Sequence, residues 1–226
     1  MPTILITGAG RGIGLEFARQ YGGDGWTVLA TLRDPAKAES LLALEGHVAV
    51  MPLDVADPAS VAILAERLGG TPIDLLINNA GVYGPRSTVL GELDYPAWQT
   101  VLTVNTLGPM RVTEAFLNHL RAGAQKKIVT VSSRMGSIAE SSGGAYAYRS
   151  SKAAVNSVMK GLAAELAPEG FTVALFHPGW VRTDMGGPTA AVAPADSAAG
   201  MRAVIDRLGP ADSGGFFDHD GTPIPW

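Results

Sequence analysis

The sequence predicts one α/β domain built on a doubly wound parallel sheet of about seven strands with helices on both faces. Three observations predict it. Short β-branched apolar runs alternate with longer helical stretches along the chain. Those runs show little polar alternation, the mark of strands covered on both faces. The first run leads straight into a glycine-rich turn and then a helical pattern, the opening of a βαβ unit.

The strand candidates are Thr3–Thr7, Thr27–Thr31, His47–Leu53, Leu75–Asn78, Lys127–Ser132 and Thr172–His177, with a short seventh at Phe216–Asp218. Helical patterns fall at Gly12–Tyr21, Pro35–Leu44, Asp57–Leu68, Tyr95–Leu120, Tyr146–Ala167 and Pro194–Leu208. Asp57-Pro58 supplies an N-cap followed by proline at the first helical position. Each strand–helix–strand step implies a right-handed crossover. No linker or repeat divides residues 1–226, which read as a single domain. Gly-Pro clusters at 186–194 and 209–215 read as loops, and the first follows a strand end, where such sheets bind ligands.

Composition excludes several functions. Apolar residues make up 46% and charged residues 17%, a balance that folds. Lys plus Arg number 17 against 21 Asp plus Glu, so no basic surplus favours nucleic acid or an anionic membrane. There is no cysteine, hence no disulfide, thiolate metal site or thiol nucleophile. His47, His119, His177 and His219 lack metal-ligand spacing and read as structural or surface residues, so no metal is expected. Asp218-His219-Asp220 reads as a turn in a Gly-Pro-rich tail. Met1-Pro2-Thr3 runs directly into a strand pattern with no secretory signal, and no apolar run approaches the ~20 residues a membrane helix needs. A cytoplasmic protein is expected.

The turn after the first strand reads Thr7-Gly8-Ala9-Gly10-Arg11-Gly12-Ile13-Gly14. Glycines let a pyrophosphate approach the backbone, and the following helix aims its unpaired N–H groups at the anion. Gly8, Gly12, Ile13 and Gly14 are therefore candidate dinucleotide contacts. In NAD-binding sheets an acid near the end of the second strand accepts from the adenosine ribose. Here Thr31 stands at that position and Arg33 follows. Arg33 and Arg11 together suit the 2′-phosphate of NADP(H). Asp34 keeps NAD(H) open as the alternative.

Tyr148 and Lys152 lie four residues apart on a predicted helix and project from one face. A phenol of pKa about 10 must shift down by roughly 3 units to exchange protons near neutrality, and a neighbouring ammonium acts in that direction. Tyr146 has only Ser150 at the same spacing, so Tyr148 is preferred as the acid and Tyr146 reads as a pocket or packing residue. Ser132 and Ser133 close the fifth strand, where a hydroxyl can polarise a substrate oxygen, and alternation points them opposite ways. Asn105, in an apolar helix, needs hydrogen-bond partners, the plain reading being a helix–helix bond.

In chain order, the Thr-Gly-x-x-x-Gly-x-Gly turn, Asn78-Asn79-Ala80-Gly81, Asn105, Ser132-Ser133, Tyr148-Arg149-Ser150-Ser151-Lys152 and Pro178-Gly179-Trp180-Val181-Arg182-Thr183-Asp184 resemble the short-chain dehydrogenase/reductase superfamily. The resemblance implies a Rossmann fold and hydride transfer between a nicotinamide and a carbonyl or alcohol carbon. It implies that Tyr148 exchanges the proton, Ser133 polarises the oxygen, Lys152 lowers the tyrosine pKa and holds the nicotinamide ribose, and Asn105 holds a water linking Lys152 to solvent. By the same resemblance Asp54 and Val55 touch adenine. Asn79, Ala80 and Gly81 line the adenine-ribose side, Asn79 serving either as a ligand or as a brace. Pro178, Gly179, Val181 and Thr183 frame the carboxamide. The separation of Ser133 from Tyr148 is slightly longer than the family's, with Ser141–Gly144 able to absorb the excess.

Three segments, Gly144–Lys152, His177–Val181 and Phe217–Gly221, resemble C-factor-like and sniffer-like carbonyl reductases within the superfamily. They imply small carbonyl or quinone-like substrates. Met185, Val192 and Met201 would suit an apolar one, and Trp180 and Trp226 are candidate pocket walls. The long helices Tyr95–Leu120 and Tyr146–Ala167 are more apolar than one sheet face requires, and the resemblance, in whose members the equivalent helices pair between subunits, implies a homodimer or homotetramer. The alternative functions are an NADP-binding regulatory or signalling protein with little turnover, and an epimerase or dehydratase on the same fold.

Overall fold

In a computed structural model that describes residues 1–85 and 89–226, seven strands pair in parallel in one sheet. They are β1 (Thr3–Ile6), β2 (Thr27–Leu32), β3 (His47–Pro52), β4 (Leu75–Asn78), β5 (Lys127–Val131), β6 (Thr172–His177) and β7 (Gly215–Asp218). Their order is β3-β2-β1-β4-β5-β6-β7. The chain winds outward from β1 to one edge, returns to β4 and winds outward to the other. The reversal between β1 and β4 opens a crevice at the carboxyl ends of the strands, where such sheets bind their ligands.

Strand periodicity divides the interior. Leu5, Leu29, Leu76, Ile128, Val173 and Leu175 face one way, and pack with Val61 and Leu64 of α3 (Pro58–Leu68) and Val155, Met159 and Leu162 of α7 (Tyr146–Leu166). Ile4, Ile6, Val28, Leu75, Ile77, Val129 and Phe176 face the other way, against Phe17, Ala18 and Tyr21 of α1 (Gly12–Gly23) and Met201, Val204 and Ile205 of α8 (Pro194–Arg207). Strands apolar on both faces thus need a helical layer on each side, the doubly wound arrangement.

Asp74, buried just before β4, joins three parts of the sheet. Its carboxylate accepts from the Thr3 N–H and the Ala124 N–H, both at 2.8 Å, while its carbonyl accepts from Lys127 N–H at 3.1 Å. Asp74→Ala leaves two backbone donors without their acceptor, each costing about 1–3 kcal/mol. A destabilisation of about 2–4 kcal/mol is expected, read as a lower urea midpoint at unchanged slope.

Two expected helices are broken. Pro35–Leu44 is a 3₁₀ turn, Pro35–Lys37, followed by the single turn α2 (Glu39–Leu42), because Ala38 leaves helical geometry at φ −92, ψ 5. Tyr95–Leu120 is three segments: α4 (Tyr95–Leu102), α5 (Gly108–Ala115) and α6 (Leu117–Ala122). A wide π turn, Thr103–Leu107, separates the first two. Pro109 accounts for it: proline has no N–H to give the Asn105 carbonyl four residues back, so the α ladder fails there. Phe116, at φ −97, ψ 7, separates the last two.

Among the described residues no helix is long and apolar enough to cross a membrane.

Candidate active site

The glycine turn joins β1 to α1 beside the loop that leaves β4. Gly8 has φ +66, and a Cβ there would lie 2.9 Å from Ala80 Cα. A Cβ on Gly14 would lie 2.4 Å from the Gly8 carbonyl oxygen and 2.5 Å from Asn79 Nδ2. Hydrogen bonds lock the two segments. Thr7 Oγ1 accepts from the Asn79 and Ala80 N–H groups at 3.0 Å, and Asn79 Nδ2 donates to the carbonyls of Thr7 and Gly8 at 2.9 and 3.0 Å. Asn79 is therefore a brace. Helix α1 has no side-chain cap and no acid in its first turn, which leaves its positive end open to an anion.

The second strand itself ends without an acid. Thr31 is fully buried and its hydroxyl donates to the Ile6 carbonyl. Asp34 caps the Ala36 N–H at 3.1 Å and pairs with Lys37 at 3.8 Å. Arg33 is exposed. Arg11 is exposed too and ion-pairs with Asp184 in the loop after β6, so that loop reaches back over the glycine turn. Asp54 caps Ala56 N–H at 2.9 Å, and Val55 is buried against Gly108. Arg33, Asp54 and Val55 follow the carboxyl ends of β2 and β3, away from the cavity described next.

A cavity of about 590 Å³ opens where the turn, β5, α7 and the loop after β6 meet. Its wall includes Ile13, Ser133, Tyr148, Pro178, Gly179, Val181 and Thr183, which brings seven of the expected residues to one place. The Ser133 hydroxyl neighbours the Tyr148 phenol closely enough to favour its ionised form. Ser133 Oγ also accepts from Met135 N–H at 3.2 Å, which starts the turn that holds it. Ser132 also borders the cavity, but its hydroxyl donates to Asn156 on α7 at 2.5 Å. Tyr146 faces a separate hollow formed by Pro85, Leu93, Asp94, Trp98 and Ala147.

Burial pushes Tyr148 up to about 12; the Ser133 hydroxyl opposes this, and Tyr83 adds to it. Tyr83 stacks on Tyr148 with centroids 4.7 Å apart. Lys152 donates to the Val131 carbonyl at 2.8 Å, with Nζ 5.7 Å from the Tyr148 ring centroid. Burial lowers its own pKa to about 8. The expected lowering of the tyrosine by the lysine is not found: burial raises the phenol and only Ser133 opposes it. The site holds a protonated phenol, suited to giving a proton.

Asn105 is buried in the π turn. Its side chain accepts from Val82 N–H at 2.9 Å and donates to the Val82 carbonyl at 2.8 Å and to Ser151 Oγ at 3.0 Å. It therefore ties the loop after β4 to α7, beyond the helix–helix bond expected. A Cβ on Gly81 would meet Asn105 Oδ1 at 3.3 Å and Lys152 Nζ at 3.7 Å, so these groups converge on that glycine.

Several expectations about the pocket are corrected. Met201 is fully buried among the apolar residues of α8, because its helical spacing places it against the sheet. Val192 bridges Val181 outside the cavity wall. Trp226 packs on Phe216 at 5.5 Å and under Lys160 at 4.3 Å. Met185 and Trp180 do line the cavity. So do Tyr83, Arg134, Glu140, Arg149 and His177, which sequence reasoning passed over or set aside. His177 ends β6, and its position at a strand's carboxyl end was the available signal. Burial holds its pKa down to about 4, so the imidazole is neutral.

Residues 2–192 match the family described as short chain dehydrogenase. The chain is 53% identical over 156 residues to C-signal of Myxococcus xanthus, covering 69% of this chain and 93% of that one. It superposes on the NADPH-bound carbonyl reductase from chicken fatty liver with TM-score 0.92 and 34% identity, covering 100% of this chain and 99% of the other. The carbonyl reductase Sniffer of D. melanogaster gives TM-score 0.93 and 31% identity over 100% of both chains. With the glycine turn, Ser133 and Tyr148 on one cavity wall and Lys152 buried beside them in a seven-stranded parallel sheet, the chain belongs to the short-chain dehydrogenase/reductase family.

Proposed function

We propose that the protein is an NADP(H)-dependent carbonyl reductase of small, largely apolar carbonyl compounds, working as a homodimer or homotetramer. The observation that carries this reading is the placing of Ser133 and Tyr148 together on the wall of the 590 Å³ cavity, with Lys152 buried behind the Tyr148 ring. The chicken and D. melanogaster structures, named as carbonyl reductases, support it.

The residues present fit a dinucleotide with a 2′-phosphate. The open end of α1 and the positive φ of Gly8 let a pyrophosphate approach the backbone. Arg11, paired with Asp184, and Arg33 are exposed cations, and Thr31, whose buried hydroxyl donates to the Ile6 carbonyl, puts no carboxylate at the end of the second strand. Gly12, Ile13 and Gly14 would hold the pyrophosphate. Asp54, Val55, Ala80 and Gly81 would line the adenosine side, and Pro178, Gly179, Val181 and Thr183 the carboxamide.

When bound, NADPH supplies the hydride. Tyr148 Oη gives its proton to the substrate oxygen as that oxygen gains negative charge, and Ser133 Oγ donates a second hydrogen bond to it. Lys152 holds the ribose hydroxyls and keeps a cation beside the phenol. Asn105, which converges with Lys152 Nζ on Gly81, would hold a water through which the phenol regains its proton.

Turnover of NADPH with a panel of aldehydes, ketones and quinones, with Tyr148→Phe as control and NADH beside NADPH, tests the reading. Equal use of NADH would remove the roles given to Arg11 and Arg33. One observation favours a second reading, a signalling protein with little turnover: the identity with C-signal. NADPH binding without turnover on any substrate would select it.

Lys152 sets the expected pH dependence. With its pKa lowered to about 8, the ammonium is present below that pH and is lost above it. The NADPH dissociation constant should therefore climb as pH rises through 8, approaching tenfold per pH unit, and stay flat in Lys152→Met. Fluorescence titration from about pH 7 to 9.5 checks this, and a flat wild-type profile contradicts it.

A further inference from the structure

The charged groups on the cavity wall do not balance. Arg134 is fully engaged: Nη1 donates to both oxygens of Glu140 at 2.9 and 3.0 Å, and Nη2 donates to Asp218 at 2.9 Å. Arg149, one residue past the proton donor, has no carboxylate among the described residues. Nη2 donates to Ser142 Oγ at 2.6 Å and Nη1 reaches the Met135 carbonyl at 3.5 Å, while Nε is buried with no partner. A partly buried guanidinium without an acid costs free energy, because desolvation is not repaid. Its position adds to that cost. It stands in the first turn of α7, a helix of 21 residues with no side-chain cap and no acid in its first turn, so the cation meets the positive end of the helix. His177, neutral on the same wall, supplies no compensating charge.

We infer that Arg149 reads an anion, and that the substrates of this cavity are carbonyl compounds bearing a carboxylate away from the reacting carbon. The planar guanidinium, paired with no acid among the described residues, can meet a carboxylate from the cavity through its Nη groups, which Ser142 and the more distant Met135 carbonyl hold in place. Glu140 does not repel the incoming acid strongly, since its charge is spent on Arg134.

The inference rests on the reductase reading for what the anion is attached to, and two measurements separate the two. The first is binding without chemistry. Calorimetry of benzoate and of benzamide against the protein loaded with NADP⁺ should show benzoate binding at least about tenfold tighter, with the difference lost in Arg149→Gln and partly kept in Arg149→Lys. The second is turnover of 3- and 4-formylbenzoate against their methyl esters. Wild type should favour the acids in kcat/KM, mainly through KM, and the acid-to-ester ratio should fall about tenfold or more in Arg149→Gln. Equal binding of benzoate and benzamide, or a ratio that survives the substitution while both rates fall together, would overturn the inference and leave Arg149 as a brace for the loop at Met135 and Ser142. Arg149-dependent benzoate binding with no turnover of either aldehyde would instead overturn the reductase reading and leave the anion site standing.

Discussion

Tyr148→Phe should lower the rate of NADPH-dependent carbonyl reduction by about 10²–10⁴-fold, the usual contribution of a positioned general acid. The substitution removes one oxygen and little else. The ring keeps its place in the stack with Tyr83 at 4.7 Å and its burial beside Lys152. Losing the phenol's polar contact with Ser133 costs at most about 0.5–1.5 kcal/mol, so the fold survives. NADPH should bind within a few-fold of wild type by fluorescence titration, which places the loss in kcat. Retention of a tenth or more of the wild-type rate would mean that another group gives the proton. Ser133→Ala makes a useful companion. It removes the one interaction that opposes the upward push of burial on Tyr148, so the phenol becomes a weaker acid as the substrate oxygen loses a donor.

Gly14→Ala should abolish dinucleotide binding by more than tenfold and cost about 1–3 kcal/mol of stability, the range for forcing volume into a packed site. The added methyl would sit 2.4 Å from the Gly8 carbonyl and 2.5 Å from Asn79 Nδ2, two groups already hydrogen-bonded to each other at 3.0 Å. It must wedge α1 away from the turn or break the brace between β1 and β4. Either displaces the N–H groups that would meet the pyrophosphate. Gly23→Ala, at the other end of the same helix with nothing within 4 Å, is the control and should be neutral or slightly stabilising. Gly14→Ala binding NADPH as tightly as the control would refute the close-packing argument.

The strands were legible because each is a β-branched run covered on both faces. Leu75–Asn78 and Thr172–His177 fall at the expected ends, and the others differ by a residue. The break after Leu102 was less legible, since apolar periodicity continues through Val104 and Val112 on either side of the π turn. Only Pro109 marked it. Gly8, Gly14, Ser133, Tyr148 and Lys152 lie within short motifs whose spacing carries the chemistry, and these the chain displays openly. Pairings across the fold it does not. Arg134 meets Asp218 from 84 residues away, and Arg11 meets Asp184 from 173. Met201 and Trp226 show the converse: an apolar side chain near a site in sequence is as readily claimed by the core.

The two apolar interiors share no side chain, because the sheet lies between them. Helix α1 stands on the Phe17 side and α7, bearing Tyr148 and Lys152, on the Val155 side. The footing of the dinucleotide and the footing of the proton donor therefore rest on separate foundations, with the sheet as a bulkhead. Slackness introduced on the α1 side would loosen the pyrophosphate alone, whereas slackness on the α7 side would disturb the phenol and Lys152 together. Sequence drift can thus retune the pyrophosphate grip by itself, but the aim of the phenol and the hold on the ribose move as one.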